Sequence, residues 1–362
     1  MRTLGVAVVG SRGVGALHVA ALHALPGVVV REVLGATPSA ASGDAAPFVA
    51  RESGHRWDDI FDADDIDVVH VCTPNSTHTE IAGAALRHRK HVVCEKPLAH
   101  TPADGRLLAT LAERSSATSV LCHQYRFLPL AQVLRQNVLD GELGTIHGVR
   151  ATYLQNWMLG GAAGWRADPT QVGRSRVLAD IGTHLLDLVE AVTNSPVVSV
   201  AADFVSISGG QDDQVSLLMR LRDGAAVSAV LSQVSAAHAN HVSLSIDGAL
   251  GSAEWSYDGV ERLVIVPHAR VATLRLDDEA QVAATGTFSV SHGRPGGALA
   301  ALLAAAYESI RGTRAGESMP LTGFGEGLRH LELIDVACTA LDDSDLRSAD
   351  RLDTSSATTA RR

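Results

Sequence analysis

His91-Val92-Val93-Cys94-Glu95-Lys96-Pro97-Leu98 reads as a short strand running straight into a Glu-Lys pair, with a proline fixing the backbone just beyond it. A lysine delivered at the carboxyl end of a strand stands where open α/β sheets place their ligands. Outward from this stretch, strands and helices alternate. Leu4 to Val9 is an apolar run without alternation, as a parallel strand covered on both faces requires. Val28 to Leu34, Val68 to Cys72 and Val120 to Cys122 repeat the pattern, and helix-like segments at Ala16 to Leu25, Glu80 to His88 and Ala103 to Arg114 separate most of them. The alternation predicts an α/β fold whose amino-terminal part is a Rossmann-type doubly wound parallel sheet.

Beyond Val197 the text turns β-rich, with runs at Val198 to Phe204, Gln214 to Leu221, Ala226 to Ser235, Val242 to Asp247 and Ser252 to Tyr257. Turn signals such as Arg222-Asp223-Gly224 and Asp247-Gly248 separate several of them, which predicts a large, mostly antiparallel sheet in an α+β domain. Late helices are expected from about Ala298 to Arg311 and through Gly325 to Leu341, packed beside that sheet and back against the first domain. The division expected is residues 1–124 and 125–341, followed by a tail, 342–362, too poor in apolar surface to order itself.

Composition narrows the function classes. Thirty Lys and Arg against forty Asp and Glu give a net charge of −10, and no basic run is long enough to track a phosphate backbone, so nucleic acid is excluded as a partner. Cys72, Cys94, Cys122 and Cys338 fall in no metal-ligand spacing; they read as buried thiols of a reducing cytoplasm, and no metal is expected. The longest alanine and leucine run, near 298–306, is too short to span a bilayer, so no membrane partner is expected either.

The first strand enters Gly10-Ser11-Arg12-Gly13-Val14-Gly15 and then a helix. Glycines at such a turn let the backbone approach a pyrophosphate, while the helix amino terminus offers free N–H groups. The fingerprint is imperfect: Arg12 holds the second glycine's place and Gly13 is displaced by one residue. After the second strand, Leu34-Gly35-Ala36-Thr37-Pro38-Ser39 lacks the acid that pairs with the free ribose hydroxyls of NAD. Thr37 and Ser39 could donate to a 2′-phosphate, although no arginine follows to clamp it; the reading is NAD or NADP, with NADP favoured. The turn Cys72-Thr73-Pro74-Asn75-Ser76-Thr77-His78 places Thr73 and Asn75 at a strand's end, as cofactor contacts or as capping residues.

The glycine turn, the Thr-Pro-Asn-x-x-His turn and Glu95-Lys96-Pro97 fall in the order and spacing of a known family, and its second signature, Asp-x-Gly-x-His, stands at Asp180-Ile181-Gly182-Thr183-His184. The chain resembles the Gfo/Idh/MocA oxidoreductases, which include glucose-fructose oxidoreductase and inositol dehydrogenase. The resemblance runs to about residue 341 and implies hydride transfer between a nicotinamide and a carbinol or carbonyl carbon of a sugar, sugar derivative or cyclitol. It implies Lys96, Asp180 and His184 as the catalytic set. Cofactor contacts are expected at Gly10, Arg12, Gly13, Gly15, Thr37, Ser39, Thr73, Pro74, Asn75, His78, Glu95, Lys96, Pro97, Trp165 and Arg166. Family members commonly pair through the open sheet, so a homodimer or homotetramer is expected.

The residues support that chemistry in their own terms. Alcohol oxidation needs a base within hydrogen-bond reach of the oxygen losing its proton. His184 titrates near neutrality and suits the role, while Lys96 can polarise the oxygen or relay the proton. Asp180 and His184 are four residues apart, which on a helix sets them one turn apart, so that the carboxylate can support the imidazole. Ile181, Leu185, Leu188 and Val192 recur at helical spacing and seat that helix. Asp187 reads as a solvated surface acid, and Glu95 as a loop anchor more than a chemical group. Arg126, in the crossing between domains, reads as a brace. Substrate contacts are expected from Lys96, Tyr153, Gln155, Trp157, Trp165, Asp180, His184 and Arg294, with aromatic rings backing a sugar face. Arg294 stands in Gly293-Arg294-Pro295 where close relatives often carry histidine, so substrate identity does not transfer simply. Two alternatives stay open: a same-fold glycosidase that recycles its cofactor, and a non-catalytic nucleotide-binding scaffold or sensor.

Overall fold

The computed structural model describes residues 2–35, 57–161, 165–267, 272–275, 295–314 and 319–343. Thr37, Ser39 and Arg294 lie outside the described residues.

Five strands, β1 (Leu4–Val9), β2 (Val28–Leu34), β3 (Val68–Val71), β4 (His91–Cys94) and β5 (Ser119–Leu121), form a parallel sheet in the order β2-β1-β3-β4-β5. The unbroken apolar run of β1 is explained by its two buried faces. Ala7 and Val9 pack with α2 (His78–Arg87) and α3 (Pro102–Arg114), whereas Val6 and Val8 pack with α1 (Val14–His23). The order reverses between β1 and β3, and ligands of open α/β sheets bind in the crevice at such a switch point. The sheet is doubly wound, as the alternation predicted.

The chain then runs through α4 (Pro129–Leu139), β6 (Ile146–Leu154), α5 (Pro169–Val172) and α6 (Thr183–Thr193). Seven strands follow: β7 (Val197–Val205), β8 (Gln214–Leu221), β9 (Ala226–Ser232), β10 (His241–Gly248), β11 (Gly251–Tyr257), β12 (Glu261–Pro267) and β13 (Ala272–Arg275). With β6 they make an eight-stranded sheet, ordered β13-β12-β11-β10-β6-β9-β8-β7, in which only the β6–β9 pair is parallel. Period-two alternation is clear in β8: Val215, Leu217, Met219 and Leu221 face the core, while Ser216, Leu218 and Arg220 face outward. Leu134, Leu185, Leu188 and Val189 of α4 and α6 cover the inner face.

Two late helices, α7 (Pro295–Ile310) and α8 (Phe324–Asp343), return to the first sheet. Leu299, Leu302, Leu303 and Tyr307 of α7 complete the core beside α1, and Phe324 and Leu331 of α8 complete the one beside α2 and α3. The amino-terminal core is therefore built partly from residues beyond 124. Asp342 and Asp343, read as tail, belong to α8, and 344–362 lie outside the described residues.

A buried carboxylate secures the second core. Glu261 Oε1 accepts from Trp255 Nε1 at 2.9 Å and from the first amides of α4, Leu130 N at 3.0 Å and Ala131 N at 3.2 Å. Burial pushes its carboxyl up to about 7, and the three N–H donors recover only part of that shift. A group whose folded pKa is raised contributes stability that is complete below its unfolded value and is lost as pH rises through the folded one. Stability should therefore decline between about pH 5 and pH 8, on the order of 2 kcal/mol from this group. Urea titrations across that window, compared with Glu261→Gln, check it; the variant should show a flatter profile.

Candidate active site

β1 delivers the chain into the glycine turn at the switch point. Gly13 has φ +54°, and a Cβ built there meets nothing within 4 Å, so the turn leaves an open concavity at the amino terminus of α1. No side chain caps that terminus. Gly15 packs hard against the turn, because a Cβ on it would lie 1.7 Å from the Gly10 carbonyl oxygen. Arg12 is exposed, and its carbonyl accepts from Gly15 N at 3.1 Å. The imperfect fingerprint thus still leaves uncapped helix amides beside open space, the surroundings a pyrophosphate needs. Gly15→Ala is expected to weaken NADH binding about tenfold or more, since the backbone must shift to admit the methyl; titration by quenching of intrinsic fluorescence measures it.

The loops after β3 and β4 lie alongside. Thr73 and Pro74 are half-buried, and Thr73 Oγ1 is held by Thr77 Oγ1 at 2.6 Å. Asn75 is buried and donates to the Val172 carbonyl of α5 at 3.4 Å, so it joins the two halves. His78, expected at the cofactor, is fully buried, with its ring nitrogens 2.8 Å from the Pro97 carbonyl oxygen and 3.0 Å from that of Thr73. It ties the two loops together from behind, with no surface left for a ligand.

Glu95 accepts from His18 Nε2 at 3.1 Å. Its carboxylate fixes the tautomer of that imidazole, whose Nδ1 meets His70 Nδ1 at 2.7 Å; His70 Nε2 in turn lies 3.0 Å from the Tyr307 hydroxyl. This buried chain anchors the Glu95-Lys96 loop to α1 and α7. Burial, and then His18, hold the His70 imidazole well below its usual range.

Lys96 leaves the end of β4 and crosses to the second half. Its Nζ donates to the Asp180 carbonyl oxygen at 2.6 Å and to Asp180 Oδ1 at 3.0 Å. Asp180 sits in a single π turn, Leu178–Gly182, that runs directly into α6. Such turns are rare and cluster at functional sites. The carboxylate is further met by Arg166 Nε at 3.7 Å and by Gln233 Nε2, which donates to Oδ2 at 2.9 Å. Burial pushes the Asp180 carboxyl up, but Lys96 and then Arg166 outweigh it and hold it below the usual carboxylate range.

The four-residue spacing does not join Asp180 to His184. Among the described residues no hydrogen bond links them: the carboxylate is turned to Lys96 and Gln233, while the imidazole packs edge-on against Tyr125 and His123, with centroids 5.1 and 5.5 Å away. His184 Nδ1 is buried without a partner among the described residues. Burial, followed by Lys96 and His123, lowers its pKa well below the ordinary histidine value, so the ring is held in its neutral form.

Asp187 is not a solvated surface acid. It is 1% exposed, and Arg126 holds it with two bonds, Nε to Oδ2 at 2.9 Å and Nη2 to Oδ1 at 2.6 Å. Thr322 Oγ1 adds a donor at 2.8 Å, so this pair braces α6 against the segment entering α8.

Around the cleft, Trp165 and Arg166 stack with the guanidinium 4.5 Å from the ring centroid. Trp157 Nε1 donates to Gln155 Oε1 at 3.0 Å, and Gln155 Nε2 donates to Asn240 Oδ1 at 2.8 Å. Tyr153 is 3% exposed, and its hydroxyl is engaged by Tyr125 and Asn240, which places it behind His184 and away from the cleft surface. Gln233, Arg176, Tyr125 and Asn240 join the neighbourhood without having been singled out as site residues.

Comparison with known proteins matches both halves of the chain. Residues 4–123 match the family model described as an oxidoreductase family with an NAD-binding Rossmann fold, and residues 131–254 match the GFO/IDH/MocA C-terminal domain. A levoglucosan dehydrogenase of Pseudarthrobacter phenanthrenivorans is 29% identical over 299 residues, covering 73% of this chain and 76% of the relative. Among solved structures, an oxidoreductase domain protein from Kribbella flavida superposes with a TM-score of 0.82 at 24% identity over 95% of this chain and 98% of the other. A levoglucosan dehydrogenase in complex with NADH and levoglucosan gives 0.81 at 22% identity over 95% and 98%. At these identities the superpositions speak for the fold.

Proposed function

Since the chain belongs to the Gfo/Idh/MocA oxidoreductases, an NAD-binding family, we propose that it oxidises a secondary hydroxyl of a cyclic sugar or sugar derivative at Lys96, Asp180 and His184. The single observation that carries the reading is Lys96 Nζ, presented from the end of β4 beside the glycine turn and gripped by both the carbonyl and the carboxylate of Asp180. Bound in the cradle at Gly13, the nicotinamide cofactor supplies the hydride acceptor. The third N–H of Lys96 donates to the substrate oxygen, polarising it. Neutral His184 takes the hydroxyl proton, and the Asp180 carboxylate keeps Lys96 in place and cationic. Trp165 and Arg166 back the sugar face and bond its hydroxyls.

The substrate class rests on the relatives, of which the levoglucosan dehydrogenase has been solved with NADH and its sugar. The missing acid after β2 supports acceptance of NADP beside NAD, with NADP favoured. Leu218 and Val230, 68% and 40% exposed on the outer face of the large sheet, support a homodimer through that face. Four buried free cysteines support a reducing, cytoplasmic setting, and among the described residues no helix is long and apolar enough to cross a membrane.

The test is a screen of levoglucosan, glucosides, cyclitols and their keto forms against both cofactors, read by nicotinamide absorbance. Net reduction with a ring sugar is expected. Consumption of a glycoside without net absorbance change would point to the recycling chemistry instead.

A further inference from the structure

Behind Asp180 lies a polar strut that the reaction scheme does not use. Gln233 is 0% exposed, at the end of β9; its Nε2 donates to Asp180 Oδ2 at 2.9 Å, and its Oε1 accepts from Arg176 Nε at 3.2 Å. Arg176, 4% exposed, is itself pinned. Its Nη2 donates to the Asp212 carbonyl oxygen at 3.0 Å, and its backbone amide donates to Asp212 Oδ1 at 3.1 Å. Asp212 Oδ2 takes Ser175 Oγ at 2.7 Å and Val177 N at 3.2 Å, so the strut is anchored in the segment that leads into the π turn. Arginine has only donors, so it compels the Gln233 amide oxygen to face it and turns the amide NH2 to Asp180. That NH2 needs an acceptor, and its bond to Asp180 Oδ2 is strongest when the carboxylate is ionised.

We propose that Gln233, oriented by Arg176, is a positioning residue that fixes the rotamer and the ionised state of Asp180 and thereby presents Lys96 to the substrate. The backbone of Gln233 adds a second link: Met158 N donates to its carbonyl at 3.1 Å, so the same residue holds the loop carrying Trp157. The groups that face Asp180 are Lys96 from the end of β4, Arg166 from the preceding turn and, by longer-range interaction, the phenols of Tyr125 and Tyr153. Lys96 and Arg166 favour the anion, the phenols gain nothing from it, and Gln233 is the neutral donor on the opposite oxygen. Loss of that donor should raise the pH at which Asp180 becomes protonated.

This inference rests on the proposed function, and its test separates the two. In Gln233→Leu, kcat is expected to fall about 10- to 100-fold, the usual worth of a bond to a charged acceptor, with KM little changed. The acid limb of the kcat/KM profile should move up in pH. Gln233→Glu keeps the shape and the bond from Arg176 but sets a second carboxylate against Asp180. It should move the same limb further, and it covers the case in which the leucine variant does not fold. A purely structural residue would lower the melting temperature and leave the acid limb in place, and that result in either folded variant would overturn the proposal. Independently of turnover, the rate of Lys96 acetylation by acetic anhydride, read by peptide mapping, should rise several-fold in either variant; an unchanged rate overturns the proposal as well. Failure of the unaltered protein to turn over any sugar would instead remove the proposed function, while the acetylation rates would still report on the strut.

Discussion

Lys96→Met is expected to lower kcat by about 10²- to 10⁴-fold, the range general acid–base and electrophilic groups contribute, while the dissociation constant for NADH changes by no more than a few-fold. The asymmetry follows from geometry. The proposed pyrophosphate site is backbone, at Gly13, Gly15 and the amino terminus of α1, whereas the two bonds of Lys96 Nζ go to Asp180. What Lys96 holds is the other side: its bonds to the Asp180 carbonyl and carboxylate at 2.6 and 3.0 Å are the link among catalytic groups across the cleft. Methionine keeps the length and apolar stem, so the loss reports the ammonium and not the packing. Steady-state rates with the sugar found in the screen, set beside NADH titrations, decide the point. Near-normal turnover would contradict the assigned role.

The second large effect concerns stability. Asp187→Ala leaves the Arg126 guanidinium, 3% exposed, without its counter-ion and should cost about 3–5 kcal/mol, as removal of one partner of a buried pair does. Burial pushes the Asp187 carboxyl up, but Arg126 and then His123 outweigh it and hold it far below the carboxylate range. A depressed carboxylate contributes stability that is present above its unfolded value and lost as pH falls toward the folded one. The unaltered protein should therefore lose stability steeply below about pH 4, and Asp187→Asn should start lower and fall less over the same window. Urea unfolding midpoints at pH 3, 5 and 7 give the comparison. Because Asp187 lies three residues after His184 on α6, the alanine variant should also lose activity in proportion to its disturbed site.

These two expectations differ in how far they could be read from the sequence. The strands of the first sheet were legible because both faces are buried, which leaves unbroken apolar runs such as Leu4–Val9. The antiparallel sheet was legible through alternation and turn residues. Lys96, Asp180 and His184 could be proposed from the sequence because their motifs are compact. The support around them was not, since Arg176 meets Gln233 across 57 residues and Gln233 meets Asp180 across 53, joined only when β9 packs beside the segment entering α6. The π turn also escaped, because a single inserted residue leaves the hydrophobic period nearly intact while it turns Asp180 away from His184.

Asp187 was hidden for a different physical reason. Its charge suggested a surface position, yet Leu185, Leu186, Leu188 and Val189 around it are all buried. A helix apolar on every side is enclosed, so a charge within it needs a partner, and Arg126 in the interdomain crossing was the available cation. His78 was misassigned for a related reason: lying in a motif beside the cofactor does not decide which way a ring faces, and its neighbours here are two backbone carbonyls.

Lys96 and Asp180 are proposed to act as one catalytic unit. A double-mutant cycle on kcat/KM for the preferred sugar, with Lys96→Met, Asp180→Asn and the two combined, tests it most directly. The double variant is expected to be no slower than Lys96→Met alone, because the carboxylate works through the ammonium. Losses that simply multiply would contradict it.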